Sequence, residues 1–311
     1  MASDAVLQAF DLSKRFKHRW AVSGLNLTVP RGEVFGFLGP NGAGKSTTIR
    51  MFLSLISPTS GRVELFGKPL HRHRAEVLAR VGGLVERADF YLYLTARRNL
   101  EIVAALAGKG SSKKIDAVLD IVGLLDRADD KVRTYSHGMK QRLGIAQALL
   151  GDPEFIILDE PTSGLDPIGI KEVRGLVLRL SSEQHITVFL SSHLLSEIEQ
   201  TATSMAIINA GKLIVQGKVK ELLEDQESLV RLDVRPVEVA LRILGEHRMA
   251  SLVTSSGDRV EVKMPASRVP ALAKLLTEAG VEIHALTPRR SLEEYFLSLT
   301  EQGEGARREQ P

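Results

Sequence analysis

The chain has 311 residues, 43% hydrophobic and 25% charged, an ordinary globular composition with room for about two domains. It has no cysteine, which excludes disulfides and cysteine-held metal, and no apolar run of the ~18 residues a membrane helix needs. Its 41 basic and 38 acidic residues leave a net charge of +3, too even a balance to argue for a nucleic-acid partner.

Met1-Ala2-Ser3-Asp4 shows neither the basic nor the apolar segment of a secretory signal, and the lack of cysteine fits a cytosolic protein. Val6 to Leu12 alternates well enough for a half-buried strand, and Lys14-Arg15-Phe16 leads into a basic turn ending at Trp20. Ala21 to Val29 reads as a second strand, closed by the turn signal Pro30-Arg31-Gly32. The apolar run Val34 to Leu38 reads as a buried strand.

Gly39-Pro40-Asn41-Gly42-Ala43-Gly44-Lys45-Ser46-Thr47 follows and satisfies the P-loop pattern G-x-x-x-x-G-K-[ST]. Its glycines let the backbone curl so that several N–H groups face one anion. Lys45 supplies a point charge for the β- and γ-phosphates, and the Ser46 hydroxyl can ligate Mg²⁺. A helix expected from Thr47 onward would aim its positive end at the phosphates.

Ile56 to Gly61 breaks that helix, Arg62 to Phe66 is a short strand, and Gly67 turns the chain. His71-Arg72-His73-Arg74 is a basic cluster that reads as the solvated start of a helix. Val81 to Val85 is a short strand. Thr95 to Gly108 is expected to be helical, with Leu100, Val103, Ala104, Leu106 and Ala107 on one side, and Lys113 to Val122 forms a second amphipathic helix stopped by Gly123. Ser136 opens a further helix whose apolar positions, Leu143, Ile145, Ala146, Leu149 and Leu150, are dense enough to be well buried.

Phe155 to Leu158 is continuously apolar and ends in Asp159-Glu160, and Ile186 to Leu190 is another such run, ending in Ser191-Ser192-His193. Short apolar strands between helices indicate a parallel sheet buried on both faces. Polar residues at the carboxyl ends of such strands are where an α/β fold places its ligand. Asp159, at the strand tip, is the candidate Mg²⁺ holder of a Walker B strand. Glu160 is the candidate general base for an attacking water.

Ala210-Gly211-Lys212 reads as a hairpin, and residues 219–226 as a charged connector. Beyond it the strand and helix patterns follow the order β-α-β-β-α-β, the split βαβ arrangement. A last helix is expected over Leu292 to Leu299 and a polar, disordered tail from Glu301. This part shows no phosphate loop, acid pair or metal cluster and reads as a regulatory or dimerising unit.

With these motifs in order, the chain resembles the ATP-binding cassette of ABC transporters. The resemblance is strong over about residues 5 to 220. The fold class it implies is an α/β P-loop NTPase cassette (a mixed-sheet core plus a helical subdomain near 88–150) over residues 1–222. A small α+β ferredoxin-like domain would follow over 223–300, then the 301–311 tail.

In the resemblance, Ser136 and Gly138, within Tyr135-Ser136-His137-Gly138-Met139, stand where the family's LSGGQ signature stands, facing the γ-phosphate held by a second subunit. Tyr135, His137 and Met139 depart from the family's Leu, Gly and Gln. Pro161 to Asp166 resembles the D-loop and His193 the switch histidine. Phe16 matches the aromatic that stacks on adenine. Glu86 replaces the Gln of the Q-loop and is a candidate Mg²⁺ ligand. A Glu there, followed by Phe90 to Thr95, is similar to cassettes of bacitracin- and lantibiotic-type exporters.

The implied protein is an ATPase with ATP and Mg²⁺ as cofactors. It would work as a homodimer on the cytoplasmic side of the membrane, energising a separate ABC-2 type permease with no nucleic acid involved. The alternative is a soluble cassette ATPase acting on ribosomes or DNA. Such proteins usually carry two cassettes or a long coiled coil, and neither pattern is present here.

Overall fold

The computed structural model describes residues 5–86, 88–108, 111–224, 227–247, 252–256, 259–265 and 268–289. The chain divides into two compact units, Met1–Gly217 and Lys218–Pro311, each with its own hydrophobic core.

In the first unit β1 (Ala5–Phe16) pairs antiparallel with β2 (Arg19–Pro30). Lys14 to Phe16, expected outside the strand, belong to β1. The tight turn at Lys17 and His18 lets the ladder run to its last rung, Phe16 opposite Arg19. β3 (Val34–Leu38) enters a second sheet, while β4 (Ser60–Leu65) and β5 (Lys68–Pro69) complete the first in the order β2-β1-β4-β5.

The second sheet adds β6 (Val81–Leu84), β7 (Phe155–Leu158), β8 (Thr187–Ser192), β9 (Ser204–Asn209) and β10 (Lys212–Lys218) in the order β10-β9-β3-β8-β7-β6. β9, β3, β8, β7 and β6 run parallel. Every residue of β3, β7 and β8 is buried, as a sheet covered on both faces requires.

Around this sheet lie α1 (Lys45–Phe52), α2 (Leu70–Leu78), α3 (Ala96–Leu106), α4 (Ser112–Ile121), α5 (His137–Leu149), α6 (Pro167–Ser182) and α7 (Leu195–Thr201). α1 begins at Lys45 rather than Thr47, because Gly44 supplies the left-handed turn that starts it. Thr95, Ser111, Ser136 and Asp166 cap α3 to α6, each accepting a backbone N–H in the first turn. On α3 the buried residues are Ala96, Asn99, Leu100 and Ala104. Leu106, expected on that side, is 85% exposed. It lies about 200° around the helix from Ala104, so the buried stripe passes it by.

Two features hold the strands that end at the site. The Phe189 ring stacks on Phe35 at 5.7 Å and meets Phe37 at 5.3 Å and Phe52 at 5.7 Å. Such pairs add about 0.5–1.5 kcal/mol each beyond their buried area. They lock β3, α1 and β8 together. At the opposite end of β7, Glu154 accepts two hydrogen bonds from Arg80, at 2.6 and 2.8 Å, and one from Arg31 at 2.9 Å. The Arg80 bonds chiefly hold its carboxyl down at about 2; partial burial opposes this, and Arg31 adds to it. The entry to β7 is thereby pinned to both neighbouring turns.

The second unit contains α8 (Val219–Glu224), β11 (Glu227–Arg235), α9 (Val237–Glu246), β12 (Leu252–Ser256), β13 (Arg259–Pro265), α10 (Val269–Glu278) and β14 (Glu282–Arg289). Its antiparallel sheet has the order β12-β13-β11-β14. That is the ferredoxin-like arrangement, with a core that includes Val230, Leu232, Val262, Leu244 and Leu272. Residues 219–224 are helical rather than a plain connector, since Lys-Glu-Leu-Leu-Glu are all strong helix formers. The helix and tail expected after residue 290 lie outside the described residues.

Candidate functional site

The loop between β3 and α1 is wedged between two neighbouring strands. A Cβ on Gly39 would come 2.4 Å from the Ile208 carbonyl oxygen, and one on Gly44 2.5 Å from that of Ala21. Gly44 also has φ 110, a left-handed value that glycine tolerates and side chains resist. Gly39 N–H donates to the Ser192 carbonyl at 3.2 Å, and the Ala43 carbonyl accepts from Gly211 at 2.8 Å. The loop is held in its curl by the end of β8 and by the turn between β9 and β10.

No side chain caps α1 and no acid occupies its first turn. Its leading N–H groups and helix dipole face the loop, an arrangement that favours an anion.

Lys45 is 5% exposed. Its ammonium donates to the Gly39 carbonyl at 2.7 Å and the Pro40 carbonyl at 3.3 Å, and lies 3.1 Å from Glu160 Oε1. Its three donors thus have three oxygens. The second Glu160 oxygen lies 3.1 Å from His193 Nδ1. Glu160 has φ 46, an uncommon conformation for a residue with a side chain, found mostly where surroundings impose it. This kink breaks the strand's alternation and turns the carboxylate toward Lys45.

The kink is stabilised by a residue that the sequence reading named only as part of the run before His193. The fully buried Ser191 hydroxyl donates to Asp159 Oδ1 at 2.6 Å and accepts from the Glu160 N–H at 2.9 Å. Ser191 therefore ties together both acids at the end of β7. Ser192 likewise donates to the buried Glu197 at 2.6 Å.

Two cavities meet at this cluster. One, of about 330 Å³, is lined by Phe16, Arg19, Ala21, Asn41, Gly42, Gly44, Lys45, Ser46, Thr47 and Glu160. The other, of about 260 Å³, is lined by Ser46, Glu86, His137, Gln141, Asp159, Glu160 and Ser163. Phe16, 49% exposed, offers a ring to the first. Glu86, with φ 62, forms an ion pair with Arg50 on α1.

The folded chain brings most of the expected residues together. Ser136 and Gly138 sit at the start of α5, the Ser136 hydroxyl accepting from the Met139 N–H at 3.2 Å. Asp166 lies outside both cavity linings, and its carboxylate accepts from the Gly169 N–H at 2.8 Å. Sequence reading missed Arg19, Arg50 and Gln141, none of which belongs to a motif.

An "ABC transporter" family model matches residues 22–163. The bacitracin transport ATP-binding protein BcrA of Bacillus licheniformis is 42% identical over 296 residues, covering 94% of this chain and 97% of that protein. The daunorubicin resistance ATP-binding protein DrrA3 of Streptomyces coeruleorubidus is 35% identical, covering 96% of each. Among solved structures, cbiO1 of Clostridium perfringens, part of the ABC transporter complex cbiONQ, superposes with a TM-score of 0.65 at 27% identity. The superposition covers 78% of this chain and 95% of that one.

Proposed function

Because the chain belongs to the ABC transporter family as an ATP-binding, ATP-hydrolysing subunit, we propose that two copies clamp two ATP molecules head to tail and drive an ABC-2 type membrane permease. The observation that carries this reading is the contact of one carboxylate, Glu160, with both Lys45 and His193 beside the phosphate loop.

In this mechanism the loop N–H groups of Gly42 to Thr47 and the Lys45 ammonium bind the β- and γ-phosphates. Glu160 accepts a proton from the attacking water, which is general-base catalysis. His193 orients Glu160 and contacts the γ-phosphate. Phe16 stacks on the adenine. Ser136 and Gly138 of one copy, with Asp166 beside them, close over the phosphates held by the other.

Among the described residues no three His, Cys, Asp or Glu side chains cluster to hold a metal by themselves. The hard oxygens of Ser46 and Asp159, meeting in one cavity, fit a Mg²⁺ ion that takes further ligands from phosphate and water. When bound, that ion neutralises charge developing on the phosphates.

Glu86 stands in the same cavity but is paired with Arg50. Its charge is already compensated by a group other than metal. Glu86→Gln is therefore expected to retain most ATP hydrolysis in a steady-state assay. A complete loss would give the carboxylate an essential role.

Among the described residues no helix is long and apolar enough to cross a membrane. In the proposed reading, which rests on the family relationship, the chain acts as a peripheral subunit on the cytoplasmic face. Tyr91, Leu92 and Tyr93 are exposed together, and the surface from Glu86 to Leu100, at the start of a helical subdomain over about 88–150, is the proposed permease contact. The similarity to bacitracin transport and daunorubicin resistance proteins supports a cargo that is a peptide antibiotic, a drug or a lipid-like molecule.

Light scattering tests the clamp: the chain should be monomeric without nucleotide and dimeric with ATP when hydrolysis is blocked. Full ATPase activity from a strictly monomeric chain would rule the clamp out.

A further inference from the structure

The turn joining β1 to β2 carries Lys14, Arg15, Lys17, His18 and Arg19 around Phe16 and Trp20. Two of these cations are engaged locally. Lys14 donates to the Ser57 carbonyl at 2.6 Å and lies 5.2 Å from the centre of the Phe16 ring. Arg15 lies 5.5 Å from the Trp20 ring. Arg19 is different. Among the described residues its guanidinium has no ion-pair partner, and it lines the same 330 Å³ cavity as Phe16, Lys45 and Thr47.

Phe16 and Arg19 are direct cross-strand partners on the last rung of the hairpin. Side chains of such partners leave the same face of the sheet, with Cβ atoms about 4.5–5.5 Å apart. The ring and the guanidinium therefore line the cavity side by side.

Resting on the reading of this cavity as the ATP site, we propose that Arg19 is a second phosphate-binding residue that takes the α-phosphate. With the base on Phe16 and the terminal phosphates at the loop, the ribose and α-phosphate are the parts of a nucleotide left near the hairpin. A guanidinium presents a planar fork of donors that matches two phosphate oxygens at once. Lys45 serves the far end of the triphosphate as a point charge. Arg19 serves the near end, so the nucleotide is held by a cation on each side of its β-phosphate. A guanidinium reading the base edge instead would favour guanine, whose O6 and N7 accept two parallel bonds, over adenine.

The test is equilibrium binding of ATP, ADP and GTP to the full-length wild-type chain, Arg19→Ala and Arg19→Lys, at two salt concentrations. An α-phosphate contact predicts that Arg19→Ala weakens all three nucleotides by the same factor, about tenfold for a charged hydrogen-bonded contact. Arg19→Lys should recover part of the loss, and the loss should shrink at high salt. Unchanged dissociation constants would overturn the proposal. So would a loss of ATP and GTP binding that spares ADP, which places the cation at the γ-phosphate, or a loss confined to GTP, which places it at the base edge. A wild-type chain that binds neither ATP nor ADP would instead sink the nucleotide-site reading on which the proposal rests.

Discussion

Glu160→Gln is expected to lower kcat for ATP hydrolysis by roughly 10²–10⁴-fold, the range for loss of a positioned general base, with the KM for ATP changed little. The amide oxygen can still accept from Lys45 at the present 3.1 Å, and the amide NH₂ can still donate to His193. Position 160 keeps its Ser191 anchor, because that bond uses the backbone N–H. What the substitution removes is the ability to take a proton. The loss should therefore fall on kcat, and ATP-bound dimers should accumulate because the step that reopens them is blocked. Turnover by Glu160→Gln equal to that of the unsubstituted chain would remove Glu160 from the role of base and leave His193 as the next candidate.

Lys45→Ala is expected to act on binding. Its ammonium is buried, and a charge-assisted hydrogen bond is worth about 1.5–3 kcal/mol, so ATP affinity should fall by at least about tenfold. Hydrolysis should fall further, because the same charge stabilises the phosphates during transfer. The substitution also strips Glu160 of one of its two partners and the Gly39 carbonyl of a donor, which removes an anchor of the loop. Lys45→Met keeps the stem, and thermal denaturation of both variants separates a disturbed loop from a missing charge. Loss of ATP binding with an unchanged melting temperature assigns the effect to the ammonium. Tight ATP binding by both variants would show that the loop N–H groups suffice and that Lys45 is dispensable.

The two predictions differ in what their residues need from the fold. Lys45 works from a short local motif, where strand, glycine loop and helix follow one another in sequence. Glu160 works only because strands distant in sequence lie next to each other. β7 brings Asp159 and Glu160, β8 brings Ser191 and His193, and β3 brings the loop. Their parallel register puts the carboxyl ends of all three at one edge. The Phe189 cluster and the Glu154 clamp keep those strands from sliding.

Local pattern was enough for the phosphate loop, the apolar strands, the acid pair and the split βαβ order of the second unit. Each rests on glycine stereochemistry, on hydrophobic period or on turn residues, which act over a few neighbouring positions. Partnership was beyond that reach. Ser191 bridges two acids of another strand, and nothing in Ser191-Ser192-His193 says which serine does so. The pairing of Glu86 with Arg50 depends on how the end of β6 meets α1. Arg19 looked like one more charge in a basic turn until its rung opposite Phe16 set it in the cavity. Leu106 fitted an apolar stripe on paper, yet its angle on α3 turned it to solvent. These outcomes depend on strand register and on helix rotation against the sheet, which are settled by packing of the whole core.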